Sequence, residues 1–370
     1  MSTISDHYAA GEKRERILRF LSERGYEALI LGRRDNFAWF SGGGDATVVR
    51  SSEVGFGILV VTRHKLYLVA HTMDGQRLMD EELSGLSAEP VFLRWYEQSR
   101  EQKAASLVKA RKAVSDIPVL GARLDPQAIA RLHYPLTPSE VERCRLLGRD
   151  TEQVLAEVAA AIAPGMREKE IEALLVGGLS RRGIECDVLL IGSDERIAKY
   201  RHPLPTDKRV ERVVLLHPAA RRWGLHANVT RMLYFGDRVP ADTAARYEAA
   251  SRIEAAAISL CIPGNKFSEI LEVQKRLYAQ TGFAEEWRNH FQGGITGYQL
   301  ANPTLCLDPC AEVVHGQAFD WFITITGVKV EELSYTGDAG PEVLSVAGAW
   351  PVSEYEYNGS ALRLPQILRR

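Results

Sequence analysis

The first third of the chain alternates between short apolar runs and longer stretches in which apolar residues recur at helical spacing. Five apolar runs have the composition of buried strands, at residues 28–32, 54–62, 65–70, 90–93 and 117–121. Amphipathic helices are predicted around them, at residues 11–25, 75–83 and 98–111 and from Pro126 onward. Strands that alternate with helices predict an α/β domain, which we expect to end near Leu132.

A proline-containing segment at residues 134–140 separates this region from the rest of the chain. Thr137 followed by Glu140 forms a capping box, and Pro138 occupies the first helical position, where its missing N–H costs no hydrogen bond. The pattern predicts a long helix from Pro138 to about Ile162. We therefore divide the chain into an N-terminal domain, residues 1–136, and a second domain, residues 137–370.

The second domain contains a short internal repeat. Pro164-Gly165 and Pro263-Gly264 each follow a predicted long helix, and each is followed four residues later by Glu-Ile at the start of another helix. The two copies are 99 residues apart. Two copies at so long a period predict a duplicated α/β unit with pseudo-twofold symmetry and do not suggest a solenoid.

Residues 202–231 carry most of the polar side chains that suggest a site. A loop with His202 leads into the apolar run 213–216, which is typical of a buried strand and ends at His217. After a turn at residues 221–224, His226 and Asn228 alternate along the returning strand, so both are expected on one face. The alternative for His217 is a buried structural histidine with its ring nitrogens hydrogen-bonded.

Composition and charge exclude several classes of function. The chain has 370 residues, of which 45% are hydrophobic and 25% charged, and its net charge is -2. Its charges are interspersed, so we expect neither a nucleic-acid partner nor a membrane partner. The sequence starts without an apolar signal core, and the five cysteines fit reduced thiols, so we expect a cytoplasmic protein.

These features together resemble the superfamily of methionine aminopeptidases, prolidases and creatinases, which has the pita-bread fold. The N-terminal region is similar to the first domain of prolidases, aminopeptidases P and creatinases, including residues 36–42, where that family has a turn. The helix from Pro138 and the turn at Pro164-Gly165 match the start of the catalytic domain. The resemblance implies an α/β N-terminal domain on an α+β pita-bread domain with an internal pseudo-twofold repeat, assembled as a homodimer.

The resemblance also implies where metal ligands would stand. The family carries two aspartates on a hairpin, one ligand histidine with a second histidine seven residues beyond it, and two glutamates. In this sequence the corresponding positions hold His217, Asn228, Gly294, Ala301, Phe322 and Glu331. Only Glu331 keeps the residue type of the family. The site therefore resembles that of creatinase, which lacks the metal.

The charge of this residue set argues against a pair of metal ions. Two divalent cations a few ångströms apart need several carboxylates to bridge them and to offset their repulsion. One glutamate, one histidine and one asparagine supply a single negative charge. A single metal on His217 and Glu331 would lack a third protein ligand. We expect no metal and no other cofactor.

The leading hypothesis is a metal-independent, creatinase-like hydrolase or lyase that acts on a C–N bond of a small, polar, nitrogen-containing substrate. His202 matches the loop histidine that serves creatinase as general acid and base, and an imidazole pKa near neutrality suits that role. Glu331 would hold a cationic part of the substrate. The remaining predicted substrate-binding residues are His217, His226, Asn228, His290, Thr296 and Tyr298.

Two other hypotheses stay open. The first is a non-catalytic ligand- or protein-binding protein of the same fold, which is supported by the implied loss of the metal and of the histidine at the position of Ala301. The second is a metal-dependent Xaa-Pro aminopeptidase, which would require several of the matched positions to be wrong. For His202 the alternative is a solvated loop histidine, and for Tyr298 it is ordinary packing.

Overall fold

The structure, a computed structural model, describes the backbone of residues 4–370 and the side chains from residue 11 onward. Its internal contacts divide the chain into two compact units. One consists of the residues up to Ser139 together with Trp223–Leu225, and the other consists of Glu140–Arg222 with His226–Arg370. In the described part of the chain, no helix is long and apolar enough to cross a membrane.

The first unit is built on one six-stranded mixed sheet of order β4-β3-β2-β1-β5-β6. Its strands are β1 (Ala28–Arg33), β2 (Val54–Thr62), β3 (Leu66–His71), β4 (Ala88–Leu93), β5 (Ala113–Ser115) and β6 (Arg123–Leu124). Its helices are α1 (Ile4–Arg24), α2 (Arg34–Ser41), α3 (Thr72–Arg77), α4 (Arg100–Ser106) and α5 (Pro126–Ala130). The predicted α/β class of this region is confirmed.

Three local predictions in this unit are wrong. The strand expected at residues 117–121 lies earlier, at β5, because Pro118 has no N–H to give to a ladder, although Ile117 and Val119 are buried as expected. The helix expected at residues 98–111 ends at Ser106. The turn implied for residues 36–42 is helix α2, which stops at Gly42 with a φ of 76°.

The second unit consists of two sheets and a hairpin packed with long helices. Its helices are α6 (Pro138–Ala161), α7 (Glu168–Ser180), α8 (Glu195–Lys199), α9 (Ala241–Ser259) and α10 (Phe267–Gln280). The strands of the first sheet are β7 (Glu185–Ser193), β8 (Val213–Arg222), β9 (Leu225–Asn228), β10 (Arg231–Tyr234) and, at the far end of the chain, β17 (Leu368–Arg369). The second sheet has the order β11-β12-β13-β14, with β11 (Gly293–Thr296), β12 (Gln317–Ile325), β13 (Val328–Gly337) and β14 (Gly340–Val343), and the hairpin is β15 (Val352–Tyr357) with β16 (Ser360–Pro365).

The internal repeat appears in the backbone of this unit. In each copy a long helix ends, a glycine turns the chain with positive φ (92° at Gly165 and 94° at Gly264), and a second helix follows. Each of these glycines donates its N–H to a residue that precedes a strand, Gly165 to Val210 O at 2.8 Å and Gly264 to Val313 O at 2.9 Å. Equivalent turns with equivalent hydrogen bonds confirm the predicted duplication.

A buried ionic cluster ties three elements of this unit together. Arg231 on β10 is fully buried and donates to Glu332 on β13, to Glu152 on α6 at 3.3 Å and to Ser345 O at 2.9 Å. Burial opposes its charge, but the two carboxylates outweigh that effect and raise the pKa of Arg231. Arg231 thus fixes the hairpin that carries the polar residues against the strand that carries Glu331.

Candidate functional site

The candidate site is built on two neighbouring strands whose alternation brings polar side chains to one face. Phe322 on β12 lies directly opposite Glu331 on β13, and Asp320 and Lys329 lie two residues from them on the same strands. Because side chains two apart on a strand share a face, all four point to the same side of the sheet. Asp320, Lys329 and Glu331 are buried.

Glu331 is the centre of the hydrogen bonds on this face. Its Oε2 lies 2.6 Å from Lys329 Nζ and 3.1 Å from His217 Nδ1, and it accepts a hydrogen bond from Thr230 Oγ1 at 3.3 Å. Burial would raise its pKa, but the N–H donated by His217 and the charge and N–H donor of Lys329 outweigh burial and hold the pKa of Glu331 well below its usual range. Glu331 is therefore ionised, and its counter-charge comes from Lys329.

Asp320 and Asn228 form a second hydrogen-bonded pair at this site. We call the cluster of Glu331, Lys329, His217, Asp320 and Asn228 the acidic floor. Asn228 Nδ2 donates to Asp320 Oδ2, while Asn228 Oδ1 and Asp320 Oδ1 are buried and have no hydrogen-bond partner among the described residues. Burial, and after it the charge of Glu331, raises the pKa of Asp320 well above its ordinary value. Asn228 Oδ1 is therefore an unused acceptor beside a carboxyl group that resists ionisation.

Two histidines, His202 and His290, form a pair next to the acidic floor. His202 Nε2 and His290 Nε2 are 2.9 Å apart, and His290 Nδ1 lies 2.6 Å from Phe291 O. A carbonyl only accepts, so His290 Nδ1 carries the proton, and the Nε2 of neutral His290 must accept from His202. His202 therefore donates from Nε2 and keeps the lone pair of Nδ1 free for chemistry.

The protonation of both rings fits this assignment. Burial lowers the pKa of His290 to about 4. Partial burial, followed by the positive charge of Lys329, lowers the pKa of His202 below its ordinary value. Both rings are neutral at pH 7, and His202 is placed to accept a proton there.

Aromatic rings form one wall next to the histidine pair. The His290 ring lies 4.5 Å from that of Phe291 and 5.5 Å from that of Phe322, and the two phenylalanine rings are 5.2 Å apart. Phe322, at the position where the family resemblance implies a ligand glutamate, is thus part of an apolar wall. Phe291 is half exposed, so this wall borders solvent.

The structure brings together some of the predicted site residues and separates others. His202 and His290 pair, and His217, Asn228 and Glu331 join the floor described above. His226 lies in a neighbouring network, where its Nδ1 is 3.0 Å from Gly297 O and its Nε2 is 3.2 Å from Asp187 Oδ2. Because both of its ring nitrogens are engaged, a role of His226 in substrate binding stays a prediction.

Thr296 and Tyr298 also have structural partners. Thr296 Oγ1 donates to Gln299 O at 3.1 Å, and Tyr298 OH donates to Glu140 Oε1 at 2.6 Å. Both side chains are buried. Packing, the alternative interpretation for Tyr298, is what these contacts favour, and substrate binding by either residue stays a prediction.

Gly294 occupies the implied position of the ligand histidine, directly opposite Asp320. A Cβ on Gly294 would lie 2.1 Å from Asn302 O and 2.9 Å from Asn302 C. Asn302 in turn donates its N–H to Ile295 O at 3.0 Å, so the loop is hydrogen-bonded in this position. The backbone therefore leaves no room for any side chain at residue 294.

Replacement of Gly294 by alanine is expected to lower the free energy of unfolding by about 1–3 kcal/mol, the usual cost of forcing an extra carbon into a packed site. Urea denaturation would measure this change. Gly177→Ala is the control, because its Cβ would meet only Arg181 Nη1, at 3.6 Å. That helical variant should be unchanged or more stable by up to about 1 kcal/mol. Equal stability of the two variants would contradict the packing argument.

The implied metal positions differ in what their side chains offer to a cation. Gly294 offers no donor, Phe322 is apolar, and the ammonium of Lys329 contacts the one carboxylate that the family keeps. In the part of the chain that the structure describes, the only group of three His, Cys, Asp or Glu donors within 4.8 Å of one another is Asp194, Glu195 and Glu211, at the surface. Lys208 already contacts that group, with Nζ 2.5 Å from Glu211 Oε1.

Sequence reasoning missed Asp320 and Lys329. Both lie two residues before a position that the family resemblance had singled out, Phe322 and Glu331. The period of two along a strand was the signal that could have found them. Asp320 adds a second carboxylate to the floor, and Lys329 supplies the cation that Glu331 was expected to find in the substrate.

Comparison with known proteins finds a matching family model and solved structures of similar fold. A family model described as metallopeptidase family M24 matches residues 142–317. No curated protein sequence matches the chain.

Three solved structures share the fold over almost the whole chain. A Xaa-Pro dipeptidase from Bacillus anthracis has a TM-score of 0.74 and 15% identity, covering 98% of this chain and 100% of that one. The dipeptidase PepE from Mycobacterium ulcerans has a TM-score of 0.76 and 17% identity, with 98% of each chain covered. The N-terminal domain of the FACT complex subunit SPT16 from Cicer arietinum (chickpea) has a TM-score of 0.69 and 11% identity, covering 93% of this chain and 98% of that one.

At these identities the solved structures establish the fold, and the family model adds the sequence relationship of the second unit. The chain therefore has the pita-bread fold, and its residues 142–317 match metallopeptidase family M24.

Proposed function

We propose that this protein is a metal-independent hydrolase that cleaves a C–N bond in a small, polar, nitrogen-containing substrate, as creatinase does. The observation that carries this proposal is the His202–His290 pair next to the ion pair of Glu331 and Lys329. A neutral histidine with a free lone pair provides a general base, and the ion pair provides fixed charge. The M24 match and the solved dipeptidases support hydrolysis as the class of reaction.

The reaction follows from the protonation states of this pair. His202 Nδ1 takes a proton from a water molecule, and the water oxygen attacks the carbon of the C–N bond. His202 then gives the proton to the leaving nitrogen as the C–N bond breaks, so the ring returns to its neutral state. His290 accepts the Nε2–H of His202 throughout and keeps the ring oriented.

Metal independence rests on the donor set. Glu331 contacts an ammonium group, Asp320 is paired with Asn228, and the backbone closes the site at Gly294. The residues that remain offer no pair of bridging carboxylates.

The test is a metal analysis of the purified protein combined with a chelator experiment. We expect substoichiometric manganese, cobalt and zinc by elemental mass spectrometry. We also expect that EDTA leaves unchanged the turnover of at least one compound in a panel of small amides, ureas, amidines and guanidines. A stoichiometric metal, together with chelator-sensitive cleavage of Xaa-Pro dipeptides, would replace this proposal by a metal-dependent aminopeptidase.

A second candidate function is non-catalytic binding of a ligand or protein. It is favoured by the position of Phe322, which turns one implied ligand position into an apolar wall, and by the similarity to a domain of a FACT complex subunit. This alternative predicts that the wild-type protein turns over no compound of the panel, although some compounds raise its melting temperature.

A further inference from the structure

We propose that the ammonium group of Lys329 takes the place of a metal ion in this site, and that the site is therefore built for substrates with a neutral carbonyl group, amides or ureas, and not for guanidinium or ammonium compounds. This inference rests on the proposed hydrolase function. It goes beyond that function by naming the electrophile and the substrate class.

The first support is the burial and contact of Lys329. Its side chain is 5% exposed, and its Nζ lies 2.6 Å from Glu331 Oε2. A buried lysine without a partner is costly, so its position on the glutamate is a fixed feature of the fold. An ammonium has three N–H donors, and this contact uses one of them.

The second support is the effect of the Lys329 charge on the neighbouring titratable groups. Lys329 lowers the pKa of His202, of His217 and of His290, and it opposes the rise in the pKa of Asp320. These four groups come from three parts of the chain: the loop before β8 and β8 itself, the segment before β11, and β12. The geometry agrees, because the Glu331 oxygen that contacts Lys329 Nζ at 2.6 Å also lies 3.1 Å from His217 Nδ1, at a position where the family resemblance implies a metal ligand.

The charges of the site residues determine which class of substrate fits. Burial keeps the three histidines neutral, and Glu331 is already neutralised by Lys329. A guanidinium or ammonium group brought next to the Lys329 ammonium would be repelled at short range in a medium of low dielectric. This corrects the expectation that Glu331 holds the cationic part of a substrate, because that position is filled from within the chain.

A carbonyl substrate instead uses the ammonium. As the water oxygen attacks the carbonyl carbon, the electron pair of the C=O bond moves to its oxygen, and the Lys329 ammonium stabilises the resulting oxyanion. The proton of the water goes to His202. When the oxyanion re-forms the carbonyl, the C–N bond breaks and the amine leaves with the proton from His202.

The unpartnered polar atoms fit the same class of substrate. Asn228 Oδ1 and Asp320 Oδ1 are buried beside Glu331 with no hydrogen-bond partner among the described residues. The N–H₂ group of a primary amide or urea can donate to Asn228 Oδ1, a substrate oxygen can accept from the neutral Asp320 carboxyl, and the substrate brings no charge with it.

The test needs no substrate in its first arm. Wild-type protein, Lys329→Met and Lys329→Gln are titrated with Mn²⁺ by calorimetry and by the loss of free-Mn²⁺ spin resonance signal. If the ammonium holds the place of a metal, its removal should tighten Mn²⁺ binding on the order of 100-fold or more, the effect of removing like-charge repulsion at a few ångströms. Adding Glu331→Gln to Lys329→Met should abolish this gain.

Two controls separate charge from folding. Lys329→Arg keeps the charge and should bind Mn²⁺ as poorly as the wild type. Lys65→Met removes an exposed lysine paired with Glu89 and should also behave as wild type. Neutral Lys329 variants that are folded by circular dichroism but bind Mn²⁺ no better than wild type would overturn the proposal. If both neutral variants fail to fold, Lys329→Arg decides, because stoichiometric Mn²⁺ in that variant would equally overturn it.

The second arm tests the substrate class on the wild-type enzyme. Turnover of amides or ureas, with no turnover of guanidinium compounds, supports the assignment, and hydrolysis of a guanidinium compound overturns it. If no compound is turned over, the hydrolase function fails, while the Mn²⁺ titration still decides whether Lys329 stands in for a metal.

Discussion

Replacement of His202 by alanine is expected to lower the kcat of C–N bond hydrolysis by about 10²–10⁴-fold, the usual contribution of a general acid–base group. Ligand affinity should change little, because the floor contacts of Glu331, Asp320 and Asn228 do not involve His202. The measurement is steady-state kinetics on the substrate found in the panel, together with calorimetric binding of a slow analogue. Turnover at the wild-type rate would remove His202 from the mechanism.

The pH profile of the wild-type enzyme gives an independent check. His202 acts as a base only when it is neutral, so kcat/KM should fall as the pH drops through its folded-state pKa. Partial burial and the charge of Lys329 lower that pKa. The acid limb should therefore lie below the pKa of an ordinary histidine, and it should move to higher pH in Lys329→Met, which removes the neighbouring charge.

His315 provides the matched control for the His202 experiment. It lies in the same unit, is exposed and pairs with Asp338 at 2.9 Å. His315→Ala should leave kcat, KM and the acid limb unchanged. A loss of activity in this variant as large as in His202→Ala would indicate a general effect of histidine removal on the fold.

Replacement of Arg231 by methionine is expected to lower the free energy of unfolding by about 3–5 kcal/mol, since it leaves buried carboxylates without their cation. Arg231, Glu332 and Glu152 are all fully buried, and their contacts join β10, β13 and α6. Urea denaturation followed by circular dichroism would measure the change. A measurable fraction of the Arg231→Met molecules is expected to be unfolded at physiological temperature.

Two further variants distinguish charge burial from lost packing. Arg145 makes surface ion pairs with Glu142 and Glu342, so Arg145→Met should cost at most about 1 kcal/mol. Adding Glu332→Leu to Arg231→Met should recover part of the lost stability, because one uncompensated charge is removed. A double variant less stable than Arg231→Met would show that the carboxylate is not the source of the cost.

The large-scale architecture of this chain could be predicted from local patterns. The capping residues before α6 marked the start of the long helix, and the Pro-Gly pairs at residues 164–165 and 263–264 marked the repeat, because a positive φ after a helix calls for glycine. The strand at residues 117–121 was misplaced because its apolar residues are buried without pairing, and hydropathy does not distinguish these two states.

The site could be predicted only in part. Family position identified His202 and Glu331, and alternation along β12 and β13 would have added Asp320 and Lys329. Alternation placed His226 on the face of Asn228 but could not foresee its contacts with Asp187 and Gly297, which depend on strands and loops distant in sequence. The partner of His202 is 88 residues away, and no pattern along the chain could have paired it with His290.

The approach of Asn302 to Gly294 has a consequence for the evolution of this chain. A histidine at residue 294 would need the loop that ends in Asn302 to retreat, so a single codon change at that position cannot supply a metal ligand. The loop must be rebuilt first, and under our proposal Lys329 must also be replaced before the site binds a cation. A laboratory selection for metallopeptidase activity should therefore yield loop deletions or insertions near residues 299–303 before any substitution at residue 294. Conversion of this site into a metal-binding site therefore requires several changes, and the loop must change before residue 294.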